Sequence, residues 1–200
     1  MTTPGLDTEL IEDDEMIEDG SAGTGGDATG NPSSATEWRR PSLGRWILFA
    51  AIAIAVIVLD QVTKNTITGQ LAPGAGMVVI PDLLNFVHGQ NSGMLFGLLP
   101  QSAPAFAVVS ILVTGLIVVY HAKAGRGIVT TIGLALLLGG AIGNLLDRLT
   151  HGYVVDWIDM GIGSARFWTY NVADAAITTA MIMLIVLVVF PVTANWGADD

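Results

Sequence analysis

The sequence predicts an all-α membrane protein with four transmembrane helices and a small extracytoplasmic β-rich region. Hydrophobic residues make up 52% of the 200 residues and charged residues only 13%, a balance typical of proteins that cross a bilayer several times. Four apolar segments each approach the roughly 20 residues that a helix needs to cross about 30 Å of hydrocarbon. The long loop between the first two segments contains a β-prone run, which predicts strands outside the membrane.

An acidic tail precedes the membrane segments. Ten of the eighteen acidic residues lie before Trp38, where there is no Lys or Arg. A stretch so rich in charge, Gly, Ser and Thr cannot bury enough apolar surface to offset the entropy lost on ordering. We therefore expect residues 1–37 to form a disordered cytoplasmic tail, residues 38–195 to form one four-span membrane domain, and residues 196–200 to form a short C-terminal tail.

The spans are expected at residues 46 to about 65, 103–120, 128 to about 149, and about 171–192. Four crossings place both termini on one side of the membrane. Five of the eight Lys and Arg residues fall on that side and three on the other. Because cytoplasmic segments carry the excess of basic residues, both termini are predicted to be cytoplasmic. The longer loops, about 66–102 and 150–170, then face outward.

The outer loops contain the strand candidates. Residues 77–87 form a β-prone run interrupted by Pro81, which is tolerated in an edge strand. A Gly-containing turn is predicted over residues 89–93, and residues 166–170 offer a second short strand.

Several chemistries are excluded by composition. The chain has no cysteine, so it has no thiol nucleophile, disulfide or cysteine-bound metal. Its three histidines, His88, His121 and His151, lack the paired spacing of a zinc site. No serine nucleophile elbow or phosphate-binding loop is present. No basic stripe is present either, so nucleic acid is not an expected partner.

Asp156 and Asp174 flank the gap between the last two apolar segments. An ionisable residue near a membrane indicates a functional site, and two carboxylates are suited to acid–base catalysis on water. Asp174 has a structural alternative, because Asn171 and an acid three residues later form a typical helix cap. Apolar neighbours of Asp156 predict a raised pKa for its carboxyl group.

Other polar residues lie near the outer ends of the spans. Helix rise places Asp147 near the outer boundary, together with Asn144 and Arg148. They form either a polar shelf for a site or simply the first polar residues after a span. Spacing alone does not choose among Asp147, Asp156 and Asp159 as the partner of Asp174.

Three further motifs each have two interpretations. Asp60 and Lys64, spaced i and i+4, form a local ion pair or order the site. Residues 91–93 form a plain turn or offer polar groups to an extended peptide. The spacing of Gly139 and Gly143 is typical of close helix packing.

Five motifs in order resemble lipoprotein signal peptidase, the signal peptidase II family, over about residues 46–192. They are Asp60-Gln-Val-Thr-Lys64, Asn91-Ser-Gly-Met-Leu-Phe96, Gly139-Gly-Ala-Ile-Gly-Asn-Leu-Leu-Asp-Arg148, Val154-Val-Asp156 and Asn171-Val-Ala-Asp174. The sequence departs from the family pattern mildly, with Trp157 and Tyr170 where Phe is commoner.

The resemblance implies a bacterial aspartic endopeptidase of the cell membrane, with Asp156 and Asp174 as catalytic dyad and with no metal or cofactor. It implies cleavage of diacylglyceryl-modified prolipoproteins just before the lipidated cysteine, at the outer face and in contact with membrane lipid. It implies a four-helix bundle with an outer β-rich cradle, in which Asp60 and Lys64 are structural. The residues implied to support the site or bind substrate are Asn91, Gly93, Asn144, Asp147, Arg148, Asn171 and Ala173.

Two other function classes would also use membrane-embedded acids. A small cation or proton transporter could use Asp60, Asp147, Asp156 and Asp174 as an ion path. Their clustering near one face argues against it, as does the lack of ionisable residues in the second span and of an internal repeat. A non-enzymatic membrane scaffold could use the same residues to cap and pair helices.

Overall fold

Long apolar helices alternate with short strands along the chain. The computed structural model describes residues 41–93, 103–124 and 127–190. The described residues contain four helices long and apolar enough to cross a membrane, which confirms the predicted fold class and makes the chain a multi-pass membrane protein. The predicted tails, residues 1–37 and 196–200, lie outside the described residues. The elements in order are α1 (Leu43–Gln70), β1 (Gly76–Ile80), β2 (Leu84–Asn91), α2 (Ala103–Ala124), α3 (Ile128–Thr150), β3 (Val154–Ile162), β4 (Ala165–Arg166) and α4 (Val172–Val189).

Helix α3 lies at the centre of the helical bundle. It packs against α1, α2 and α4, and 61% of its most apolar window is buried, against 17% for each of the other helices. The exposed apolar faces of those three helices are the faces that lipid covers. The buried apolar cluster around α3 consists of Phe49, Ala53, Ile117, Leu134, Ala135 and Leu138.

Glycines of α3 allow the neighbouring helices to approach closely. A Cβ atom at Gly139 would lie 2.7 Å from Cβ of Val56 in α1, and one at Gly140 would lie 2.5 Å from the carbonyl oxygen of Ala173 in α4. A Cβ at Gly143 would lie 2.8 Å from Oδ2 of Asp60. The predicted packing role of this segment is therefore confirmed, and Gly140 extends it to a third helix.

The strands form one antiparallel sheet in the order β1-β2-β3-β4, which we call the cradle. The central pairing joins β2 to β3, with Gly89 opposite Asp156 and Asn91 opposite Val154. A Cβ atom at Gly89 would lie 2.8 Å from the carbonyl oxygen of Asp156. Only glycine therefore allows the two strands to meet at this point.

Two local predictions about the outer loops were wrong. The turn expected over residues 89–93 begins later, because β2 continues to Asn91 by pairing with β3. The strand expected over residues 166–170 is reduced to Ala165–Arg166 and one isolated bridge between Tyr170 and Ile158. Strand β3 was not predicted, because its pairing partner lies far away in the sequence.

Hydrogen bonds fix the cradle to the ends of the helices. Nδ1 of His88 in β2 lies 2.8 Å from the carbonyl oxygen of Leu71, which follows α1. The backbone N–H of Val155 in β3 donates to Oδ2 of Asp147 in α3 at 2.9 Å. Helix α1 has 28 residues and a length of about 42 Å, which exceeds the hydrocarbon thickness, so its last turns reach the cradle.

Candidate active site

Asp174 is the third residue of α4 and is part of the cap of that helix. Its backbone N–H donates to Oδ1 of Asn171 at 2.9 Å, and its own Oδ2 accepts from the backbone N–H of Asn171 at 3.2 Å. Its other oxygen, Oδ1, accepts from Nδ2 of Asn144 in α3 at 2.7 Å. The capping interpretation is thus correct, and the cap also points this carboxylate toward α3.

Asp156 lies in β3 with 3% of its surface exposed. Nδ2 of Asn171 donates to its Oδ1 at 2.8 Å, and Nδ2 of Asn91 donates to its Oδ2 at 3.0 Å. Burial, and secondly the negative charge of Asp174, raise the pKa of Asp156 from 3.8 to about 6, against the lowering effect of the two amide hydrogen bonds. The direction agrees with the sequence prediction.

The structure places Asp156, rather than Asp147 or Asp159, beside Asp174. Asn171 contacts both, since its side chain donates to Asp156 and its backbone N–H donates to Asp174. Asp147 is instead paired with Lys64 at 2.9 Å, and Asp159 with Arg166 at 2.9 Å. The hydrogen bond from Arg166 is the main cause of the lowered pKa of Asp159.

Three asparagine side chains present N–H groups to the two carboxylates. The amide oxygen of each accepts a hydrogen bond elsewhere: Asn91 from the N–H of Gly93 at 3.0 Å, Asn144 from Nζ of Lys64 at 3.1 Å, and Asn171 from the N–H of Asp174 at 2.9 Å. Because an amide carries its acceptor and its donors on opposite sides, each NH₂ group then faces a carboxylate.

A buried ion-pair network lies beneath the carboxylates. Nζ of Lys64 lies 2.7 Å from Oδ2 of Asp60 and 2.9 Å from Oδ2 of Asp147. Asp60 is 0% exposed, Lys64 2% and Asp147 1%. With its bond to Asn144, the ammonium group uses all three of its donors. The i, i+4 pair expected from sequence is therefore part of a larger network that joins α1 to α3.

The same network holds the backbone on both sides of the site. Oδ1 of Asp60 accepts from the backbone N–H of Ala173, in the first turn of α4, at 2.9 Å. Oδ2 of Asp147 accepts from the N–H of Val155, which precedes Asp156. Asp60 and Asp147 thus fix the two segments that carry the carboxylates.

Gln61 is a site residue that the sequence analysis did not single out. Its Nε2 donates to Oδ1 of Asp147 at 3.0 Å and to the carbonyl oxygen of Gly143 at 3.2 Å. It lies 3.3 Å from Oδ2 of Asp60. The sequence does contain a signal for Gln61, because it is a polar amide next to an acid within an otherwise apolar segment.

Arg148 lies at the boundary between α3 and α2. Its Nη1 donates to the carbonyl oxygen of Asn144 at 3.1 Å, and its guanidinium carbon lies 5.8 Å from the centre of the Phe106 ring.

The two departures from the family pattern are accommodated in the cradle. Trp157 packs edge-on against Phe86 at 5.1 Å, and the hydroxyl of Tyr170 donates to Sδ of Met160 at 2.9 Å.

Comparison with known proteins agrees with this geometry. The family model for signal peptidase (SPase) II matches residues 52–190. A lipoprotein signal peptidase of Staphylococcus carnosus (strain TM300) is 39% identical over 140 residues, which cover 70% of this chain and 88% of that protein. One from Geobacillus kaustophilus (strain HTA426) is 36% identical over 150 residues, which cover 74% of this chain and 97% of that protein.

A solved structure, described as a bacterial membrane enzyme determined by the in meso method at 2.3 Å resolution, has the same fold. Its TM-score is 0.68 at 30% identity, and the match covers 81% of this chain and 98% of that chain. The family model covers more than half of the sequence, and the motifs of the site fall within the matched range. The chain therefore belongs to the signal peptidase II family.

Proposed function

We propose that this protein is an aspartic endopeptidase that removes the signal peptide from diacylglyceryl-modified prolipoproteins, cutting just before the lipidated cysteine. The observation that carries the proposal is the convergence of Asp156 and Asp174 on Asn171, whose side chain and backbone each donate to one carboxylate. The name lipoprotein signal peptidase, borne by relatives that are 39% and 36% identical, supports the substrate class.

The two carboxylates act on one water molecule in the proposed reaction. The ionised carboxylate takes a proton from water as the water oxygen bonds to the scissile carbonyl carbon, and the protonated carboxyl group donates its proton to the carbonyl oxygen. The tetrahedral intermediate then collapses. The carbon–nitrogen bond breaks as the leaving nitrogen takes the proton of one carboxyl group, while the other carboxylate takes a proton from a hydroxyl group of the intermediate. The intermediate becomes the carboxylic acid of the released signal peptide, and the dyad again holds one proton.

The pKa of Asp156 suits this cycle. A carboxyl group whose pKa is about 6 keeps or exchanges its proton near neutral pH. The charge of Asp174 contributes to that value, as expected for two acids that share one proton. The surrounding amide donors offset the cost of burying the negative charge that remains.

The other residues of the site serve as supports in this proposal. Asn91, Asn144 and Asn171 orient the two carboxylates, while Asp60, Lys64 and Asp147 hold the backbone at Ala173 and Val155. Gly93 orients Asn91, and Arg148 joins α3 to Phe106 of α2 beside Asn144.

The site is proposed to face outward, with both termini cytoplasmic. The dyad lies where α3 ends and α4 begins, and this is the end of the bundle that the distribution of Lys and Arg assigns to the outside. The boundaries of the membrane domain are proposed to be residues 38 and 195, with the acidic tail inside the cell.

A transporter finds no support in the structure. Asp60 and Asp147 share Lys64, while Asp156 and Asp174 share Asn171, so all four acids lie in one connected cluster at one end of the helices. An ion path across the membrane needs ionisable or polar groups through its depth.

A paired cleavage assay tests the proposed function. The purified full-length protein is incubated with a precursor peptide that carries diacylglyceryl-cysteine and with its unlipidated twin, and the products are identified by mass spectrometry. We expect one cut, directly before the lipidated cysteine, in the lipidated peptide only. Failure to cut the lipidated peptide overturns the function, and equal cutting of the twin overturns the lipid requirement.

A further inference from the structure

Resting on the proposed function, we propose that a groove beside Asp174 binds one acyl chain of the diacylglyceryl group on the substrate. The groove, which we call the acyl groove, lies between the cradle and α4 and has a volume of about 500 Å³. Asp174 lines one part of it. The remaining lining residues are Met160, Phe167 and Tyr170 from the cradle side and Ala175, Thr178 and Thr179 from α4.

Most of the wall of the acyl groove is apolar, and two of its hydroxyl groups are bonded within the wall. The Tyr170 hydroxyl donates to Sδ of Met160 at 2.9 Å, and the Thr179 hydroxyl donates to the carbonyl oxygen of Ala175 at 2.8 Å. These bonds direct the hydroxyls to partners within the walls. Phe167 packs edge-on against the Tyr170 ring at 6.2 Å. Apart from the Asp174 carboxylate and the Thr178 hydroxyl, the groove thus presents aromatic rings, a thioether and methyl groups.

The acyl groove lies on the side of α4 that faces lipid. Ala173, Ala176 and Ala180 are buried, whereas Ala175, Thr178 and Thr179 are exposed. On a helix these two sets fall on different faces. A chain already in the bilayer can therefore enter the groove sideways, without passing through water.

The covalent structure of the substrate requires an acyl site near the dyad. The sulfur of the lipidated cysteine is about four bonds, or roughly 5 Å, from the scissile carbonyl carbon. The chains therefore start close to Asp156 and Asp174 whenever that carbonyl is in the reactive position. A groove that is lined by Asp174 and continues along α4 satisfies this requirement.

Charge distinguishes this occupant from a membrane phospholipid. Among the described residues that line the groove, none is Lys or Arg, and Asp174 alone carries a charge. An anionic phosphate would be repelled by that carboxylate, whereas a diacylglyceryl thioether is neutral. Within lipid the chain gains little hydrophobic free energy on entering. The groove therefore acts mainly by aligning the scissile bond with the dyad.

Filling the groove tests the proposal. Thr178→Trp places a large side chain in it, and Ile185→Trp places the same side chain on the lipid-facing surface of α4, where Ile185 is 58% exposed and outside the groove. Each full-length variant is assayed with dipalmitoylglyceryl and diacetylglyceryl precursors. We expect kcat/KM of Thr178→Trp to fall at least tenfold more for the long-chain than for the short-chain precursor, with the ratio unaltered in Ile185→Trp.

An equal effect of Thr178→Trp on both precursors, or no effect on either, overturns the acyl groove. A wild-type protein that cuts neither precursor overturns the proposed function instead, so the two failures are distinguishable. Photocrosslinking of the wild-type protein gives a test independent of any variant. A precursor with a diazirine at the end of an acyl chain is expected to label the groove, for example at Met160 or Thr179.

Labelling only outside the groove contradicts the proposal. A photoreactive phospholipid tests the alternative that the groove binds a lipid of the membrane instead of the substrate. We expect it to label the groove less than the precursor does and to be displaced by unlabelled precursor. Labelling that persists at saturating precursor would identify the groove as a site for membrane lipid and overturn the assignment.

Discussion

Nζ of Lys64 lies 3.1 Å from Oδ1 of Asn144, and the amide nitrogen of the same asparagine lies 2.7 Å from Oδ1 of Asp174. One asparagine thus connects the buried cation of α1 to the carboxylate that begins α4. Because the ammonium can only donate, it fixes which side of the amide faces the dyad. The ion-pair network therefore contributes to the orientation of the proposed catalytic dyad as well as to the packing of the helices.

Replacement of Lys64 by Met is expected to destabilise the protein by about 3–5 kcal/mol. The change leaves the carboxylates of Asp60 and Asp147 buried without their shared cation. Thermal unfolding in detergent measures the effect, and Lys123→Met, at an exposed position of α2, is the matched control. An unfolding midpoint of Lys64→Met equal to that of the control would contradict the role given to this network.

Asp156→Asn and Asp174→Asn are each expected to lower cleavage of a lipidated precursor by at least about 100-fold, the usual contribution of general acid–base catalysis. Both variants should still insert into the membrane. Asp159→Asn is the control, since Asp159 is paired with Arg166 away from the dyad, and it should stay within about twofold of wild type. Near-normal turnover by either dyad variant would show that the catalytic pair is misassigned.

The pKa of Asp156 predicts how stability depends on pH. Since this pKa rises from 3.8 to about 6 on folding, the folded protein keeps a proton that the unfolded chain loses. The resulting stabilisation is complete below about pH 4 and is lost as pH rises through about 6, by up to about 3 kcal/mol. Asp156→Asn removes this dependence, so its unfolding midpoint relative to wild type should rise between pH 4 and pH 8.

Asp159 gives a control of opposite sign for this titration. Its pKa is lowered by Arg166, so the stability that it contributes is present at neutral pH and lost in acid. The midpoint of Asp159→Asn relative to wild type should therefore rise as pH falls. Parallel pH curves for wild type and Asp156→Asn would rule out the raised pKa of Asp156.

Gly140→Ala is expected to separate α3 from α4 at the site. Its new Cβ would lie 2.5 Å from the carbonyl oxygen of Ala173, and backbone atoms must shift to relieve that contact, at a cost of about 1–3 kcal/mol. Gly115→Ala is the matched control, because a Cβ there has no neighbour within 4 Å. We expect lower stability and activity for Gly140→Ala only. Similar unfolding midpoints and cleavage rates in both variants would contradict the close approach.

The absence of cysteine allows the proposed topology to be measured directly. A single cysteine introduced at Ser164, between β3 and β4, should react in intact cells with a maleimide that cannot cross the membrane. A single cysteine at Thr24, in the acidic tail, should react only after the cells are permeabilised. Reaction of Thr24→Cys in intact cells would reverse the orientation.

The four helices could be predicted because each is marked by a run of apolar residues long enough to span lipid. The cradle was harder to predict. Strand β3 contains Asp156 and Asp159 among apolar residues, and its ladder depends on pairing with β2, which places Asn91 opposite Val154. Such distant pairing leaves little trace in local composition. The end of α1 also came five residues later than expected, at Gln70, and Leu71 directly after it contacts His88 of the cradle.

The residues of the site could be proposed from motifs, but their arrangement could not. Asp156 and Asp159 are three residues apart, so in a strand their side chains point to opposite faces. Recognising β3 would therefore have separated the two candidates without showing which one faces Asp174. Gln61 was missed because its role depends on α1 meeting α3 where Gly143 leaves room.

The cap of α4 links the proposed activity to the folding of one helical turn. The carboxylate of Asp174 has two roles. It caps the first turn of α4 through reciprocal hydrogen bonds with Asn171, and it is proposed to be one of the two catalytic groups. If the first helical turn unfolds, the Asp174 carboxylate loses its hydrogen bonds to Asn171 and to Asn144 of α3. In the proposed mechanism, a copy in which this turn is unfolded therefore lacks the paired carboxylates that cleavage requires.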